Sequence, residues 1–496
     1  MKVYLLNPPY YDRFSRSMRW QETARGGTLY YPIWLAYATG LIEEQHDAKL
    51  VDAPARRLSG DDVVKDAASY EPDLVVIDTS YTSWRNDIEV AARIKQSVSK
   101  AFTVVVGPPT SAYSLNYLRN PCIDAVIEGE YEFPLRQLAD ALQEGKELRE
   151  IFGLSWKDNE EIRRNSPRDV TSSFDLENLP WVSRVYKKHL NVKDYFLSSA
   201  LYPEVQIIAE RGCPHMCTFC EWPQLFTKHT PRYRTVENVV DEMLWIRENL
   251  HKVKEIVFED DTFTINKKWV HDFCDEIIKE DLEFTWSAQI RADVEYDLLR
   301  KMRKAGCRLV IVGFESGSDK VLRVMKKGIT VENSRNFARA AKRAGILIHG
   351  DFIIGMPGET ERTIEETWSL IHYIRPEVLQ VSLAAPFPGT EFYEYARRGG
   401  YLLSEDPGDY LDSKGHQKSV LSYPGLSASQ MESKVDQILK RYYLSVGYLP
   451  LILKQVLRSR GKDELLRLLA STFAFLKYTY GSQSTATPLG EEASKP

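Results

Sequence analysis

The sequence predicts an α/β protein in which an N-terminal doubly wound, Rossmann-like parallel sheet precedes a partial (β/α)6 barrel of the TIM type and a helical C-terminal extension. Short apolar runs alternate with stretches of helical length before residue 145 and again after residue 200. This alternation is typical of parallel strands with crossover helices. From residue 401 onward, helix-like stretches dominate. The predicted domains are a sheet unit (1–145), a linker with a hairpin (146–200), a barrel (201–400), a helical region (401–480) and a disordered tail (481–496).

Five apolar runs predict the strands of the first unit. They are Val3–Leu6, Lys49–Asp52, Leu74–Asp78, Thr103–Gly107 and Ala125–Ile127. The stretches between them predict helices at Pro32–Gln45, Gly60–Tyr70, Asn86–Ser99 and Ser111–Leu118. In an open sheet of this kind, ligands bind beyond the carboxyl ends of the strands.

Four loops at that edge of the sheet have the composition of a ligand site. They are NPPYYD (7–12), DTSYTS (78–83), GPPTS (107–111) and EGEYE (128–132). Their glycines and small hydroxyl side chains allow a ligand to approach the backbone closely. The residues expected to contact that ligand are Asn7, Pro8, Thr79, Ser80, Tyr81, Gly107, Thr110, Ser111, Glu128, Gly129 and Glu130.

Three cysteines at the start of the barrel are the most specific chemical signal in the chain. Cys213, Cys217 and Cys220 lie in AERGCPHMCTFCEWPQ, directly after the first predicted barrel strand. Three thiolates on one loop can hold three irons of a 4Fe–4S cluster. The fourth iron then remains open, and S-adenosylmethionine (SAM) fits there through its amino and carboxylate groups. Structural zinc is disfavoured because no fourth ligand with suitable spacing follows.

Each later barrel strand also ends in a distinctive loop. These loops carry FEDDTF (258–263), WSAQIRAD (286–293), VIVGFESGS (310–318), GDFIIGMPGET (350–360) and APFPGTE (385–391). The C-terminal ends of barrel strands are where such folds place their chemistry. Together with the cysteine run, these motifs resemble the radical SAM superfamily.

That resemblance implies reductive cleavage of SAM and a set of SAM contacts. FEDDTF looks like the acidic segment that meets the SAM amino group, through Asp260 or Asp261. Ser287 and Arg291 resemble the ribose and carboxylate contacts, and Glu315 belongs to the G-x-x-E motif. The resemblance assigns no further catalytic residue. It also implies an external electron donor such as flavodoxin or ferredoxin.

The first unit resembles the cobalamin-binding domain of cobalamin-dependent radical SAM enzymes, which implies cobalamin as a third cofactor. The D-x-H-x-x-G motif that supplies a cobalt ligand in methionine-synthase-type domains is absent, and His46, the only histidine before residue 150, is expected at the surface. This absence fits cobalamin held without a protein histidine, and equally a domain that has lost its cobalamin. With cobalamin held, Tyr81, Trp84 or Arg85 is expected near the lower face of the cobalt.

Three functions compete at this point. The first is a radical rearrangement or ring modification of an apolar or lipid-linked substrate. The alternative is C-methylation by a cobalamin-dependent methyltransferase, and the second alternative is a non-enzymatic Fe–S or cobalamin carrier. The segment CEWPQ (220–224) resembles a hopanoid-biosynthesis subgroup and the anaerobic Mg-protoporphyrin cyclase, so the first function is the sequence-based prediction. The substrate itself stays open.

The helical region and the composition bound the location of the protein. Residues 441–462, RYYLSVGYLPLILKQVLRSRGK, are apolar and aromatic with a basic end. Such a helix lies at a membrane interface or packs on the barrel as a cap. We expect peripheral membrane contact through 441–480, with the packed cap as the competing interpretation. An oxygen-sensitive cluster implies a reducing cytoplasm, and the lack of a basic excess or a nucleic-acid module predicts no nucleic-acid partner.

Overall fold

The computed structural model describes residues 1–159, 161–166, 172–458 and 462–480, without the side chains of 454–456, 458, 463–464 and 476–480. The predicted tail therefore lies outside the described residues. The N-terminal unit is a seven-stranded sheet of order β2-β1-β3-β4-β5-β6-β7. Its strands are β1 (Lys2–Asn7), β2 (Asp47–Asp52), β3 (Leu74–Asp78), β4 (Phe102–Val106), β5 (Ala125–Ile127), β6 (Leu154–Asp158) and β7 (Glu161–Arg164).

The first five strands are parallel, and helices connect them. The helices are α1 (Ile33–Ile42), α2 (Ala53–Arg56), α3 (Gly60–Tyr70), α4 (Trp84–Ser97), α5 (Thr110–Leu118) and α6 (Glu132–Glu144). Local sequence sets their ends: Ser59 and Asp62 form a capping box at the start of α3, and α6 stops at Gly145, which has a left-handed φ of 67°. The hairpin predicted in the linker adds β6 and β7 to this sheet in antiparallel pairing.

The barrel is a six-stranded parallel sheet of order β15-β14-β13-β12-β11-β8. Its strands are β8 (Glu204–Ile207), β11 (Glu255–Phe258), β12 (Trp286–Ile290), β13 (Cys307–Glu315), β14 (Leu347–Ile354) and β15 (Val378–Leu383). A separate two-stranded antiparallel sheet of β9 (Glu210–Arg211) and β10 (Arg232–Tyr233) follows β8, and the cysteine run lies between its strands. Because β8 and β15 do not pair with each other, the sheet is a half-barrel with one open side.

Two helices lie in the linker segment, and the others cover the outside of this half-barrel. They are α7 (Ser173–Glu177), α8 (Val182–His189), α9 (Val236–Asn249), α10 (Lys267–Lys279), α11 (Tyr296–Lys304), α12 (Asp319–Val324), α13 (Val331–Ala344), α14 (Glu361–Ile374) and α15 (Glu391–Arg398). The predicted fold class is confirmed: a doubly wound sheet, a partial (β/α)6 barrel and a helical C-terminus.

Three C-terminal helices complete the fold: α16 (Ala428–Tyr443), α17 (Leu449–Arg458) and α18 (Lys462–Tyr480). Helix α16 packs beside β15, where Tyr442 donates to the carbonyl oxygen of Pro376 and Tyr443 to that of Leu379. Among the described residues, no helix combines the length and apolar character that crossing a bilayer requires.

Candidate active site

The cysteine loop is held at the C-terminal end of β8 by a glycine and by backbone bonds. Gly212 has a φ of +90°, and a Cβ there would lie 2.2 Å from the carbonyl oxygen of Thr230, so only glycine fits. The Cys213 amide donates to the carbonyl oxygen of Lys228 over 3.2 Å. The loop therefore leaves the strand in one fixed direction, into the mouth of the half-barrel.

The three predicted cluster cysteines lie near one another on this loop. Burial raises the pKa of the Cys220 thiol, Arg19 opposes the rise, and the nearby Cys217 and Cys213 add to it. Among the described residues, no three His, Cys, Asp or Glu side chains converge on a point suitable for a single metal ion. A cubane does not require such convergence, since each thiolate binds a different iron.

Gln224, in the CEWPQ segment, fastens the loop. Its Nε2 lies 3.1 Å, 3.2 Å and 2.8 Å from the carbonyl oxygens of Cys217, Thr218 and Cys220. Its Oε1 accepts from the amide of Glu391, which begins α15 after the sixth strand. Sequence reasoning noted the segment but not this role, because the bonds depend on how the loop curls around the side chain.

The acidic pair after β11 bonds to the same loop. Asp260 is fully buried, and its Oδ1 accepts from the amides of Ala209 and Glu210 over 2.7 and 3.2 Å. Asp261 accepts from the Gly212 amide over 2.7 Å. These bonds from both side chains stabilise the cluster loop, while Asp260 Oδ2 is buried and has no hydrogen-bond partner in the described part of the chain.

Of the other predicted SAM contacts, Arg291 and Glu315 lie at the C-terminal ends of β12 and β13, whereas Ser287 is the second residue of β12 and lies near the N-terminal end of that strand. Ser287 is buried in β12. Arg291 Nη2 donates to the carbonyl oxygen of Lys327 over 2.7 Å, and Lys327 Nζ donates to Glu315 Oε1 over 2.6 Å. Glu315 follows a register shift and has a φ of +63°, an unusual conformation for a residue other than glycine. Such backbone strain often marks a functional site.

Lys327 was missed by sequence reasoning because it lies on a loop just outside the quoted motifs, where a single lysine carries no signal of its own. Burial lowers the pKa of Lys327, but Glu315 and then Cys217 raise it, and the pKa ends above its ordinary value. This places a buried cation between the cysteine loop and the G-x-x-E motif. The electrostatics there favour anionic groups, as a cluster thiolate or a carboxylate would supply.

A cavity of about 180 Å³ inside the half-barrel opens beside Cys220. Its polar walls come from several strands, and its apolar walls include Trp20 and Phe387. The polar lining residues are Arg19, Glu221, Glu259, Gln289, His349, Asp351, Gln380, Ser382 and Gln417. Burial raises the pKa of Glu259 to about 7, and Arg19 and Gln289 oppose the rise.

Arg19 is the second functional residue that the sequence did not reveal. It belongs to the long loop after β1, yet its Nε donates to Gln289 Oε1 over 2.9 Å and its Nη2 donates to the Asp260 carbonyl oxygen over 3.0 Å. A side chain of the sheet unit thus reaches into the barrel beside the cysteines. No periodicity or motif indicates such a reach, since tertiary contacts alone position the loop.

The predicted cobalamin residues all lie at the expected edge of the N-terminal sheet. Several of them form hydrogen bonds with neighbouring residues of that unit. Asn7 Nδ2 donates to Asp52, and Arg16 donates to Asn7 Oδ1 and to the carbonyl oxygen of Pro8. Further bonds at this edge join Thr79 to Asp87 and Tyr117, Ser80 to Ser83, Thr110 to the carbonyl oxygens of Gly107 and Ile127, and Glu128 to Arg164.

Three other residues of the predicted set form hydrogen bonds with the barrel. Tyr81 donates to the carbonyl oxygen of Pro388 over 2.7 Å, and Ser111 donates to that of Leu225 over 3.1 Å. Glu130 binds Arg232 through both carboxylate oxygens. Gly107 and Gly129 have positive φ angles of 124° and 72°. The edge of the sheet and the mouth of the barrel therefore form one boundary.

One expectation about the histidine is wrong. The His46 side chain is buried rather than exposed, and its Nε2 lies 2.8 Å from Asp140 Oδ1. It nevertheless precedes β2, so it lies at the amino-terminal edge of the sheet, opposite the ligand loops. Trp84 and Arg85, which were expected near cobalt, both bond to Asp406.

The boundary between the two units has the polar groups that a cobalamin requires. Five buried polar atoms there have no hydrogen-bond partner among the described residues: Trp20 Nε1, Gln21 Oε1, Tyr131 Oη, Glu221 Oε2 and Trp222 Nε1. Unpaired buried polar groups are rare in folded proteins and call for a partner. The amide side chains of a corrin carry both donors and acceptors, so the residues present fit that group.

Comparison with known proteins agrees with this geometry. A radical SAM superfamily model matches residues 207–371, and a B12-binding domain model matches residues 23–139. The "uncharacterized methyltransferase PH0819" of Pyrococcus horikoshii is 32% identical over 465 residues, covering 93% of this chain and 96% of the relative. The chain belongs to the cobalamin-dependent radical SAM family.

Other relatives and one solved structure extend the comparison. The anaerobic magnesium-protoporphyrin IX monomethyl ester cyclase of Synechocystis is 24% identical, covering 83% of this chain and 80% of the relative. The hopanoid C-3 methylase of Methylococcus capsulatus is 24% identical over 73% and 67%. The radical SAM methyltransferase TsrM of Kitasatospora setae has a TM-score of 0.66 at 18% identity, over 88% of both chains, and supports the fold.

Membership in this family confirms the resemblance drawn from the motifs. The chain is a radical SAM enzyme whose cofactors are a 4Fe–4S cluster, SAM and cobalamin. Radical SAM enzymes act on small-molecule substrates and need an electron donor. A non-enzymatic carrier is thereby set aside.

Proposed function

We propose that this enzyme is a C-methyltransferase that modifies an unreactive carbon of an apolar or lipid-linked substrate. The observation that carries the proposal is the similarity to the Pyrococcus methyltransferase, which extends over nearly the whole of both chains. The sequence-based prediction put rearrangement first, but the relatives favour the methyltransferase alternative. Ring modification remains the second candidate, because the cyclase of Synechocystis matches over most of the chain.

The proposed cofactor sites are built from the residues that the motifs predict. Cys213, Cys217 and Cys220 hold the cluster, and Asp260 or Asp261, Arg291 and Glu315 contact SAM. Cobalamin lies over the loops 7–12, 78–83, 107–111 and 128–132, without a ligand from His46. When bound, these cofactors supply a radical that removes hydrogen from the substrate and a methyl group that replaces it. The protein positions the reactants and excludes water.

The proposed location is the cytoplasm, at the surface of a membrane, with reduction by a donor such as flavodoxin or ferredoxin. Support comes from an apolar surface on and before α17 and α18, which we call the leucine face. Its exposed members are Leu444, Val446, Leu449, Leu453, Leu457, Leu465, Leu466, Leu469 and Phe473. Large contiguous apolar surfaces on proteins mark sites of interaction. Helices α16–α18 thus pack on the barrel with one side and expose another.

Product analysis tests the reaction type. The enzyme is reconstituted anaerobically with iron, sulfide and cobalamin, then supplied with SAM, a reductant and a lipid extract. Radical methylation consumes two SAM molecules, one as methyl donor and one as radical source. Equal amounts of S-adenosylhomocysteine and 5′-deoxyadenosine therefore support methyl transfer. Substrate-dependent 5′-deoxyadenosine without S-adenosylhomocysteine would favour ring modification.

A further inference from the structure

A second cavity, of about 200 Å³, lies on the open side of the half-barrel. Strand β15 forms one wall, and helices α16 and α18 form another. Its apolar lining includes Leu379, Leu439, Tyr443, Leu468 and Phe475. In a closed eight-stranded barrel, two further strands would occupy this side. Here, helices that leave a space behind them replace those strands.

This side cavity adjoins the cavity beside Cys220. The two cavities share five lining residues: Met18, Tyr30, His349, Gln380 and Ser382. At its outer end, the side cavity is lined by Leu444, whose side chain is 52% exposed and belongs to the leucine face. The two adjoining cavities therefore form a path from the leucine face to the cluster loop through the open side of the barrel, with a polar junction at His349, Gln380 and Ser382.

The inner end of the path is polar. His349 is buried, and neither of its ring nitrogens has a hydrogen-bond partner among the described residues. Asp351 Oδ1 lies 3.2 Å from His349 Nε2 in an orientation that forms no hydrogen bond, so it is also unsatisfied. A buried carboxylate oxygen without a donor is costly. A substrate hydroxyl or amine would satisfy it.

We infer that the substrate is a long-chain amphiphile that enters from the membrane through the open side of the half-barrel. Its hydrogen-bond donor group binds at Asp351 and His349, and its chain occupies the side cavity and leaves toward the leucine face. The reacting carbon then lies near the polar end of the substrate, since Asp351 and Cys220 line one cavity. This inference rests on the proposed function and adds the class and orientation of the substrate.

Photolabelling of the reconstituted holoenzyme tests the path without turnover. The probe is a 16-carbon alcohol with a diazirine at its far end, and the labelled residues are mapped by mass spectrometry. We expect labels on Leu439, Tyr443 and Phe475. The same chain without the hydroxyl should label these positions about tenfold less, which corresponds to ~1.4 kcal/mol. Equal labelling by both probes would overturn the polar anchor, and labels confined to Leu465 and Phe473 would overturn the path.

A pair of variants at the junction of the cavities provides the matched control. Ser382→Trp fills the junction and should reduce labelling about tenfold, or ~1.4 kcal/mol, whereas Ser382→Ala should keep it. Cluster absorbance shows whether each variant is folded. If Ser382→Trp loses its cluster, the comparison of the two probes on the unaltered enzyme still decides. Because no reductant is present, labelling can succeed where methyl transfer fails, so the two proposals are tested separately.

Discussion

Arg291 is fixed beside the cluster loop by its bond from Nη2 to the Lys327 carbonyl oxygen. Its guanidinium can bind a carboxylate with two parallel bonds, a geometry that lysine cannot reproduce. We predict that Arg291→Lys weakens SAM binding by about tenfold, the loss of roughly one charge-assisted bond. Equilibrium binding measures this effect, and cluster absorbance should be unchanged. Unaltered affinity would remove Arg291 from the SAM site.

Glu204 illustrates the cost of polar residues inside a barrel. It is fully buried in β8, and burial raises its pKa to about 8. Its folded-state pKa thus exceeds the ordinary value of 4.5, so the native state holds the proton longer than the unfolded state does. The stability of the apoprotein should therefore fall as pH rises from about 5 to 8, by up to ~1.4 kcal/mol per pH unit from this group.

The variant Glu204→Gln isolates that contribution, because an amide does not titrate in this range. Denaturant unfolding of both apoproteins at several pH values gives the difference in the free energy of unfolding. We expect the free energy of unfolding of the variant to exceed that of the unaltered apoprotein by an amount that increases from pH 5 to pH 8. A difference that stays constant with pH would show that Glu204 titrates normally.

At the scale of elements, the cluster loop depends on the Gln224 side chain. Gln224→Glu keeps the shape but replaces the donor with a carboxylate oxygen facing three carbonyl oxygens. We predict at least a severalfold loss of iron and sulfide per chain after reconstitution, since the lost bonds to buried acceptors cost roughly 1–3 kcal/mol each. The same change at exposed Gln45 serves as the control and should retain the full cluster. Full cluster content in both variants would refute the role of Gln224.

The helical C-terminus yields a prediction about membranes. Replacing Leu449, Leu453 and Phe473 by serine should reduce co-sedimentation with anionic liposomes, because apolar side chains and basic residues act together at such surfaces. Replacing the equally exposed Leu115, Phe152 and Phe174 by serine provides the control and should change little. Among the basic residues of this segment, Lys462 is exposed. The side chains of Lys454, Arg458 and Arg460 are not among those that the structure describes. Equal sedimentation of both variants would indicate a cap rather than a membrane site.

The elements themselves were largely predictable. Strands buried on both faces, such as Leu74–Asp78, are continuous apolar runs and were located correctly. The hairpin of β6 and β7 was recognised, but its pairing with β5 was not, because strand partners separated in sequence leave no local signal. Arg19 was missed for the same reason, whereas Lys327 was missed because it belongs to no quoted motif. His46 was misjudged because its contact with Asp140 satisfies a ring nitrogen and allows a polar side chain to be buried.

On the scale of the whole molecule, buried ion pairs join the two units. Arg211 pairs with Glu132 over 2.6 Å, and Arg232 with Glu130 over 2.8 Å, and all four side chains are nearly inaccessible. Removing one partner of such a pair leaves an uncompensated buried charge. The sheet unit and the barrel therefore hold a common boundary, where the unpaired polar atoms and the cluster loop meet.

The proposed reaction at this boundary is methyl transfer to an amphiphile. The most direct measurement uses SAM with a deuterated methyl group, the reconstituted enzyme, a reductant and a membrane lipid extract, followed by mass spectrometry of the lipids. We predict that a lipid gains one deuterated methyl group on carbon, and that the Cys217→Ala variant forms no such product. A substrate-dependent consumption of SAM that leaves every lipid without deuterium would contradict it.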